Sequence, residues 1–273
     1  MSWRPHYFNR LGNARNMSFI EETFSLRGKT ALITGSSRGI GFALAAGLAK
    51  AGANIILNGR NQTTIERAQA KLAEAGIEAQ CLCCDVANAE EVDTAIDAYE
   101  ADIGAIDILI NNAGIQHRAE LAEFTDEDFN RVMATNSHAV FYTAKAVGKH
   151  MVARGHGKII NIASVMTLVA RQNVAAYVTS KAAVGGLTRA LATEWAEQGL
   201  NINAIGPGYI STELTKPLFD DAEFSAWLMQ TTPQRRWGQV DDLVGAAIFL
   251  ASPASDFVNG QILYVDGGMT ASV

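Results

Sequence analysis

Short unbroken apolar runs alternate with longer helical stretches along this chain, and that alternation leaves few folds open. The runs "KTALIT" (29–34), "ANIILN" (53–58), "EAQCLCCDV", "IDILINNAG", "GKIINIAS", "LNINAIGPG" and "ILYVDGG" read as seven strands. Between them lie helical patterns such as "IGFALAAGLAKAG", "TTIERAQAKLAEAG" and "AEEVDTAIDAYEADIG", and a long helical region from about 126 to 154. Strands without polar alternation are buried on both faces, which requires a parallel sheet between two helix layers. The βαβ order predicts a doubly wound α/β fold with one seven-stranded parallel sheet. No composition break divides the 273 residues, so 23–273 is expected to be a single domain preceded by an extension, 1–22.

The extension has no acid before Glu21 and carries Arg4, Arg10 and Arg15. Its arginines are faintly those of a transit peptide, but it has little Ser and no amphipathic period, and it lacks the apolar stretch of a secretory signal. It is expected to be mobile or docked on a partner, with Met17 as an alternative start. No run of 18 apolar residues predicts a membrane span. A net charge of −6 without an extended basic patch argues against nucleic acid as a partner. Cys81, Cys83 and Cys84 all fall in the third strand. Alternating strand side chains cannot bring all three to one metal, so no metal is expected, and they read as buried core thiols in a reducing cytoplasm.

"TALITGSSRGIGFALA" places Gly35, Gly39 and Gly41 between the first strand and the first long helix, with Ser37 and Ile40 among them. Such glycines let backbone approach a pyrophosphate whose charge sits at the helix N-terminus, so this turn is expected to bind a dinucleotide. An NAD site wants Asp or Glu at the tip of the second strand. Here the tip carries Asn58, Gly59 and Arg60, and Arg38 lies in the glycine turn. Two guanidiniums near the adenosine ribose suit the 2′-phosphate of NADP.

"NVAAYVTSKAAVGGLTRALATEW" has no Pro and predicts one long helix. Tyr177 and Lys181 are one turn apart on it and share a face. A phenol is a ready acid and a poor base at neutral pH, and a neighbouring ammonium lowers its pKa. The order TGSSRGIG, NNAG (111–114), Ser164, YVTSK (177–181) and PG (207–208) resembles the short-chain dehydrogenase/reductase superfamily from about residue 24 to 273. The resemblance implies a Rossmann fold, a homotetramer, and ketone–alcohol interconversion by a tetrad of Asn136, Ser164, Tyr177 and Lys181. Lys181 would also bind the nicotinamide ribose, Ser164 would hold the substrate oxygen, and Asn136 would anchor a water leading to solvent. It further implies cofactor contacts at Asp85 and Val86, at Asn112, Ala113 and Gly114, and at Pro207, Gly208, Ile210 and Thr212.

"NNAGIQHR", "PGYISTELTKPL", "AWLMQTTPQRRWG" and "ASDFVNGQILYVDGGM" are similar to gluconate 5-dehydrogenases, which implies a small sugar-acid substrate. Arg118 and Arg171 match arginines of that group and would meet the carboxylate. One stretch departs from the group. Its polar S-x-Q-S-E run is "SVMTLVAR" here, with Met166 and Leu168 replacing Gln and Glu, so a less polar ketone or hydroxy acid is an alternative. Residues 209–237, with Phe219, Phe224, Trp227 and Leu228, are expected to fold over the substrate. A 3-oxoacyl-(acyl-carrier-protein) reductase shares the catalytic motifs and is the rival enzyme. Such enzymes dock their carrier through basic groups, for which Lys149, Arg154 and His156 are the candidates, although Thr193 stands where an Arg is usual. A non-catalytic NADP-binding protein is the rival of another class.

Overall fold

The computed structural model describes residues 18–272. The expectation for residues 1–22 therefore lies largely outside the described residues. Within them Ser18 caps a short helix, α1 (Phe19–Phe24), through a reciprocal bond with Glu21. Strands β1 (Thr30–Ile33), β2 (Asn54–Gly59) and β3 (Ala79–Cys83) alternate with helices α2 (Gly39–Lys50), α3 (Gln62–Glu74) and α4 (Ala89–Asp102). β4 (Ile108–Asn111) leads to α5 (Asp126–Met133), which runs through a π-helical segment (Ala134–His138) into α6 (Ala139–Arg154). β5 (Gly157–Ile162), α7 (Ala175–Trp195) and β6 (Leu200–Pro207) follow, then α8 (Lys216–Phe219), α9 (Ala222–Thr231), α10 (Val244–Ala251) and β7 (Ile262–Val265).

All seven strands are parallel, in the order β3-β2-β1-β4-β5-β6-β7. Successive residues of each inner strand serve opposite cores. Ala31 and Ile33, Ile55 and Leu57, and Ile108 and Ile110 pack with Leu44, Leu48 and Leu72 on one face. Leu32, Ile56 and Leu109 pack with Val92, Ile96, Val147 and Met151 on the other. Burial on both faces is what removed polar alternation from these strands. The two outermost strands, β3 and β7, are only partly covered. The cysteines therefore differ from expectation: on edge strand β3 Cys81 is half-buried and Cys83 exposed, and only Cys84, just beyond the strand, is buried.

The chain leaves β1 toward β3, returns to β4 on the other side, and continues to β7. This reversal between β1 and β4 opens a crevice at the carboxyl ends of the strands. Four buried polar side chains brace that end. Asn111 donates to Asn161 (2.9 Å), Thr143 donates to Asn111 (2.5 Å), and Asn161 donates to Thr188 (2.9 Å). The network joins α6, β4, β5 and α7 where the crevice forms, and each of its side chains has a hydrogen-bond partner, as burial demands.

Candidate active site

The first wall of the crevice is the turn from β1 into α2. Gly35 and Gly39 adopt positive φ (60° and 57°), which favours glycine. A Cβ on Gly41 would run into Asn112 Nδ2 and lie 2.7 Å from the Gly35 carbonyl oxygen. Asn112 laces the turn by donating to the carbonyls of Thr34 (2.9 Å) and Gly35 (3.1 Å). Thr34 Oγ1 accepts from the amides of Asn112 and Ala113. α2 begins at Arg38 without a side-chain cap or a first-turn acid, whereas Asn61, Asn88, Thr125 and Asp221 cap α3, α4, α5 and α9. Uncapped N–H groups beside the glycines of this turn fit a diphosphate.

The crevice has a volume of about 600 Å³. Its lining holds Gly35, Ser37, Arg38, Gly39, Ile40, Asn58, Arg60, Asp85, Val86, Asn112, Ala113, Gly114, Pro207, Gly208, Ile210 and Thr212. Among the expected cofactor residues only Gly41 stays behind the surface, where it admits Asn112. Asn58 lines the crevice and also braces its wall. It is buried, accepts from the Gly35 amide (3.3 Å) and donates to the carbonyls of Leu82 (3.0 Å) and Cys84 (3.3 Å). It therefore braces the turn, and the exposed Arg60 and Arg38 are the groups free to meet a ribose phosphate. Arg38 pairs with Glu213 across the crevice (3.0 Å), both side chains being more than two-thirds exposed. A phosphate would displace so weak a surface pair.

Ser164, Tyr177 and Lys181 line the inner end of the same crevice. Ser164 follows β5, and its hydroxyl oxygen accepts from the Met166 amide (3.1 Å), which leaves its proton to be donated outward. Lys181 is buried; Nζ donates to the Ile162 carbonyl (2.7 Å) and lies 5.7 Å from the Tyr177 ring centroid. Burial without a carboxylate partner lowers its pKa to about 8. Tyr177 is half-buried, and its pKa is raised. Burial is the largest cause, the Ser164 hydroxyl works against it, and Tyr209 adds to it. The expected lowering by the Lys181 ammonium is not among these causes, and the phenol keeps its proton at neutral pH.

Asn136 lies in the π-helical segment, fully buried and outside the crevice lining. Its amide accepts from the Ile115 N–H (2.8 Å) and donates to the Ile115 carbonyl (2.9 Å) and to Ser180 Oγ (3.1 Å). Ser180 in turn donates to the Tyr177 carbonyl (2.8 Å). The side chain therefore fixes the segment after NNAG against α7, as π-bulges at functional sites often do.

Arg118, Met166 and Arg171 do not line this crevice. Arg118 is held by Gln116 Oε1 (2.9 Å), while its buried Nε has no partner. Burial lowers its pKa, Arg171 repels it further, and Tyr209 opposes both. The Arg171 guanidinium stacks 4.9 Å above the Phe224 ring. Among the described residues neither arginine has a carboxylate partner within ion-pair distance. Burial raises the Tyr209 pKa, and Arg171 and Arg118 oppose that rise. Tyr209 was missed in the sequence, although its place directly after the Pro–Gly pair marked it. Met166 is buried, whereas Leu168 is 62% exposed, so the apolar exchange at 168 falls on the rim.

Within 209–237, Phe224 of α9 meets Arg171 and belongs to an aromatic cluster. Tyr209 contacts Phe224, Trp227 and Trp237 at centroid distances of 5.3, 6.4 and 5.9 Å, while Leu228 is buried beneath. The candidate basic spot is neutralised: Lys149 pairs with Asp97 (2.8 Å), Arg154 with Glu100 (2.6 Å), and His156 lies 3.9 Å from Asp107.

A family model described as enoyl-(acyl carrier protein) reductase matches residues 35–270. The chain is 51% identical over 252 residues to gluconate 5-dehydrogenase of Gluconobacter oxydans (strain 621H), covering 92% of this chain and 98% of that protein. It is 48% identical over 254 residues to 5-keto-D-gluconate 5-reductase of Escherichia coli (strain K12), covering 93% and 100%. Its structure matches that of a gluconate 5-dehydrogenase from Burkholderia cenocepacia J2315 in complex with NADP and tartrate. The TM-score is 0.91 at 52% identity, over 93% of this chain and 99% of that one.

Proposed function

Because the chain belongs to the short-chain dehydrogenase/reductase family, we propose that it is an NADP-dependent oxidoreductase interconverting a keto sugar acid and its secondary alcohol, with 5-keto-D-gluconate and gluconate as the pair. The observation that carries the substrate class is the pair Arg118 and Arg171, neither with a carboxylate partner among the described residues: the buried Arg118 Nε has no partner, and Arg171 stacks on Phe224, which itself packs on Tyr209. Two guanidiniums so placed repel each other, and a substrate carboxylate relieves that repulsion while accepting their donors. The Burkholderia relative holds tartrate, a hydroxy dicarboxylate, with NADP.

NADP supplies or takes up the hydride when bound. The uncapped start of α2 would hold its diphosphate, Arg38 and Arg60 its 2′-phosphate, and Pro207, Gly208, Ile210 and Thr212 its nicotinamide end. Lys181 would meet the nicotinamide ribose. Ser164 would donate its free proton to the substrate oxygen, and Tyr177 would give its proton to that oxygen as it becomes an alkoxide. A phenol kept neutral by burial suits this direction. In the reverse direction Tyr177 must first lose its proton, so alcohol oxidation rises with pH.

The carrier-protein reading loses its docking charges to Asp97, Glu100 and Asp107. The non-catalytic reading is disfavoured by a complete Ser164–Tyr177–Lys181 set facing one crevice. A cytoplasmic homotetramer remains our reading of the working form. Arg118→Ala is expected to raise KM for 5-keto-D-gluconate about tenfold or more and leave NADPH affinity unchanged. An unchanged KM would remove Arg118 from the substrate site.

A further inference from the structure

The turn that carries Ser164 is tied to the far edge of the sheet through one phenol. Tyr264 lies on β7, paired in register with Gly206 of β6. Its ring covers that glycine so closely that a Cβ on Gly206 would fall 2.5 Å from Cδ1 and 2.7 Å from Cε1. Gly206 immediately precedes Pro207 and Gly208, which line the crevice. The phenol oxygen is 2.5 Å from Thr167 Oγ1, and Thr167 Oγ1 is 2.9 Å from the Ser164 carbonyl oxygen. The Thr167 amide donates to the same carbonyl (3.0 Å).

These contacts fix the direction of the chain of bonds. A threonine hydroxyl has one proton, and a carbonyl oxygen accepts only, so Thr167 donates to Ser164 and Tyr264 donates to Thr167. The 3₁₀ turn Val165–Thr167 is thereby closed twice onto Ser164, and Met166 in its middle supplies the amide that orients the Ser164 hydroxyl. The turn also packs on α7: the Thr167 methyl lies 3.7 Å from where a Cβ on Gly185 would stand, four residues beyond Lys181.

We infer that Tyr264 is a positioning residue for the reaction. Through Thr167 it holds the turn that aims the Ser164 hydroxyl at the substrate oxygen, while its ring sets the height of the Gly206–Gly208 backbone. No group of Tyr264 need touch substrate. Its phenol acts at the sheet edge, and the effect appears at Ser164 and, through Ser164, at Tyr177. The groups that bear on Tyr177 are Ser164 and Tyr209, with Lys181 Nζ 5.7 Å from its ring centroid.

This inference rests on reading Ser164 as the donor to the substrate oxygen, so Ser164→Ala is measured beside Tyr264→Phe, Thr167→Val and Thr167→Ser. NADP(H) serves as cofactor, with whichever alcohol–ketone pair the native protein turns over fastest. Tyr264→Phe keeps the ring on Gly206 and loses only the hydroxyl. It is expected to lower kcat about three- to tenfold, the effect of one lost hydrogen bond. The pH limb of alcohol oxidation should move upward, because a loosened Ser164 no longer favours the phenolate. NADP affinity, which also reports folding, should stay within about twofold. Thr167→Val should behave the same way, Thr167→Ser should restore native rates, and the Tyr264→Phe/Thr167→Val pair should be no worse than Thr167→Val alone. Native kcat and pH profile in Tyr264→Phe beside a crippled Ser164→Ala would overturn the Tyr264 role, as would effects that multiply in the double variant. Native turnover in Ser164→Ala would instead remove the Ser164 role, and the role of Tyr264 with it.

Discussion

Tyr177 keeps its proton because burial disfavours the phenolate more than the Ser164 hydroxyl favours it. The same burial acts on Lys181 with opposite sign, since there the charged form is the protonated one. Lys181 titrates near 8 in the folded chain, below the 10.5 of an unburied lysine. Between those values the unfolded chain holds more protons, so the folded state gains stability as pH rises from about 8 toward 10.5. Below 8 the cost of burying the ammonium is present in full. Lys181→Met should therefore stabilise the cofactor-free protein by about 2–4 kcal/mol at pH 7, and the gain should shrink toward pH 10. Urea unfolding at both pH values measures this, and a variant less stable than the native chain at pH 7 would contradict it. The same variant should lose turnover, because the buried charge is retained for chemistry at the expense of stability.

The elements that build the crevice follow from local rules, and so does their vulnerability. Gly41→Ala drives a methyl group into Asn112, whose amide laces the first turn to the NNAG segment. Its expected result is a loss of about 1–3 kcal/mol in stability and at least tenfold weaker NADP binding. Thermal unfolding and a fluorescence titration read the two effects, and unaltered NADP affinity would show that the lacing is dispensable. Much of this was legible in the sequence. Unbroken apolar runs marked the inner strands, and the glycine turn and the Tyr–Lys pair fell where their spacing said. The cysteine strand misled, because its apolar run resembled the inner strands although it lies at an edge. The brace Thr143–Asn111–Asn161–Thr188 was unread, since its partners come from four elements brought together only by folding. Asn161 within "IINIAS" and Asn111 at the head of NNAG were its visible traces. The strand tip drew attention to Asn58 as a crevice residue, but not to its bonds: its buried amide also spans the gap between β1 and β3.

At the scale of the molecule, one crevice brings the uncapped start of α2 together with Ser164, Tyr177 and Lys181, while Arg118 and Arg171 lie outside its lining, Arg171 stacked on Phe224. Among the described residues no helix is long and apolar enough to cross a membrane. The homotetramer is tested by sedimentation velocity, where a species four times the mass of the chain is expected and a monomer at assay concentration would exclude it. The central claim concerns the whole arrangement acting at once: the chain reduces a keto sugar acid with NADPH through Tyr177. It is met most directly by following NADPH oxidation with 5-keto-D-gluconate, other keto sugar acids, an uncharged keto sugar, a β-keto ester and acetoacetyl-carrier protein, each with native protein and with Tyr177→Phe. The account predicts that 5-keto-D-gluconate or a close keto acid turns over fastest, that NADPH outperforms NADH, and that Tyr177→Phe is inactive while still binding NADPH. Preference for acetoacetyl-carrier protein or the β-keto ester over every sugar acid, or full activity in Tyr177→Phe, would contradict it.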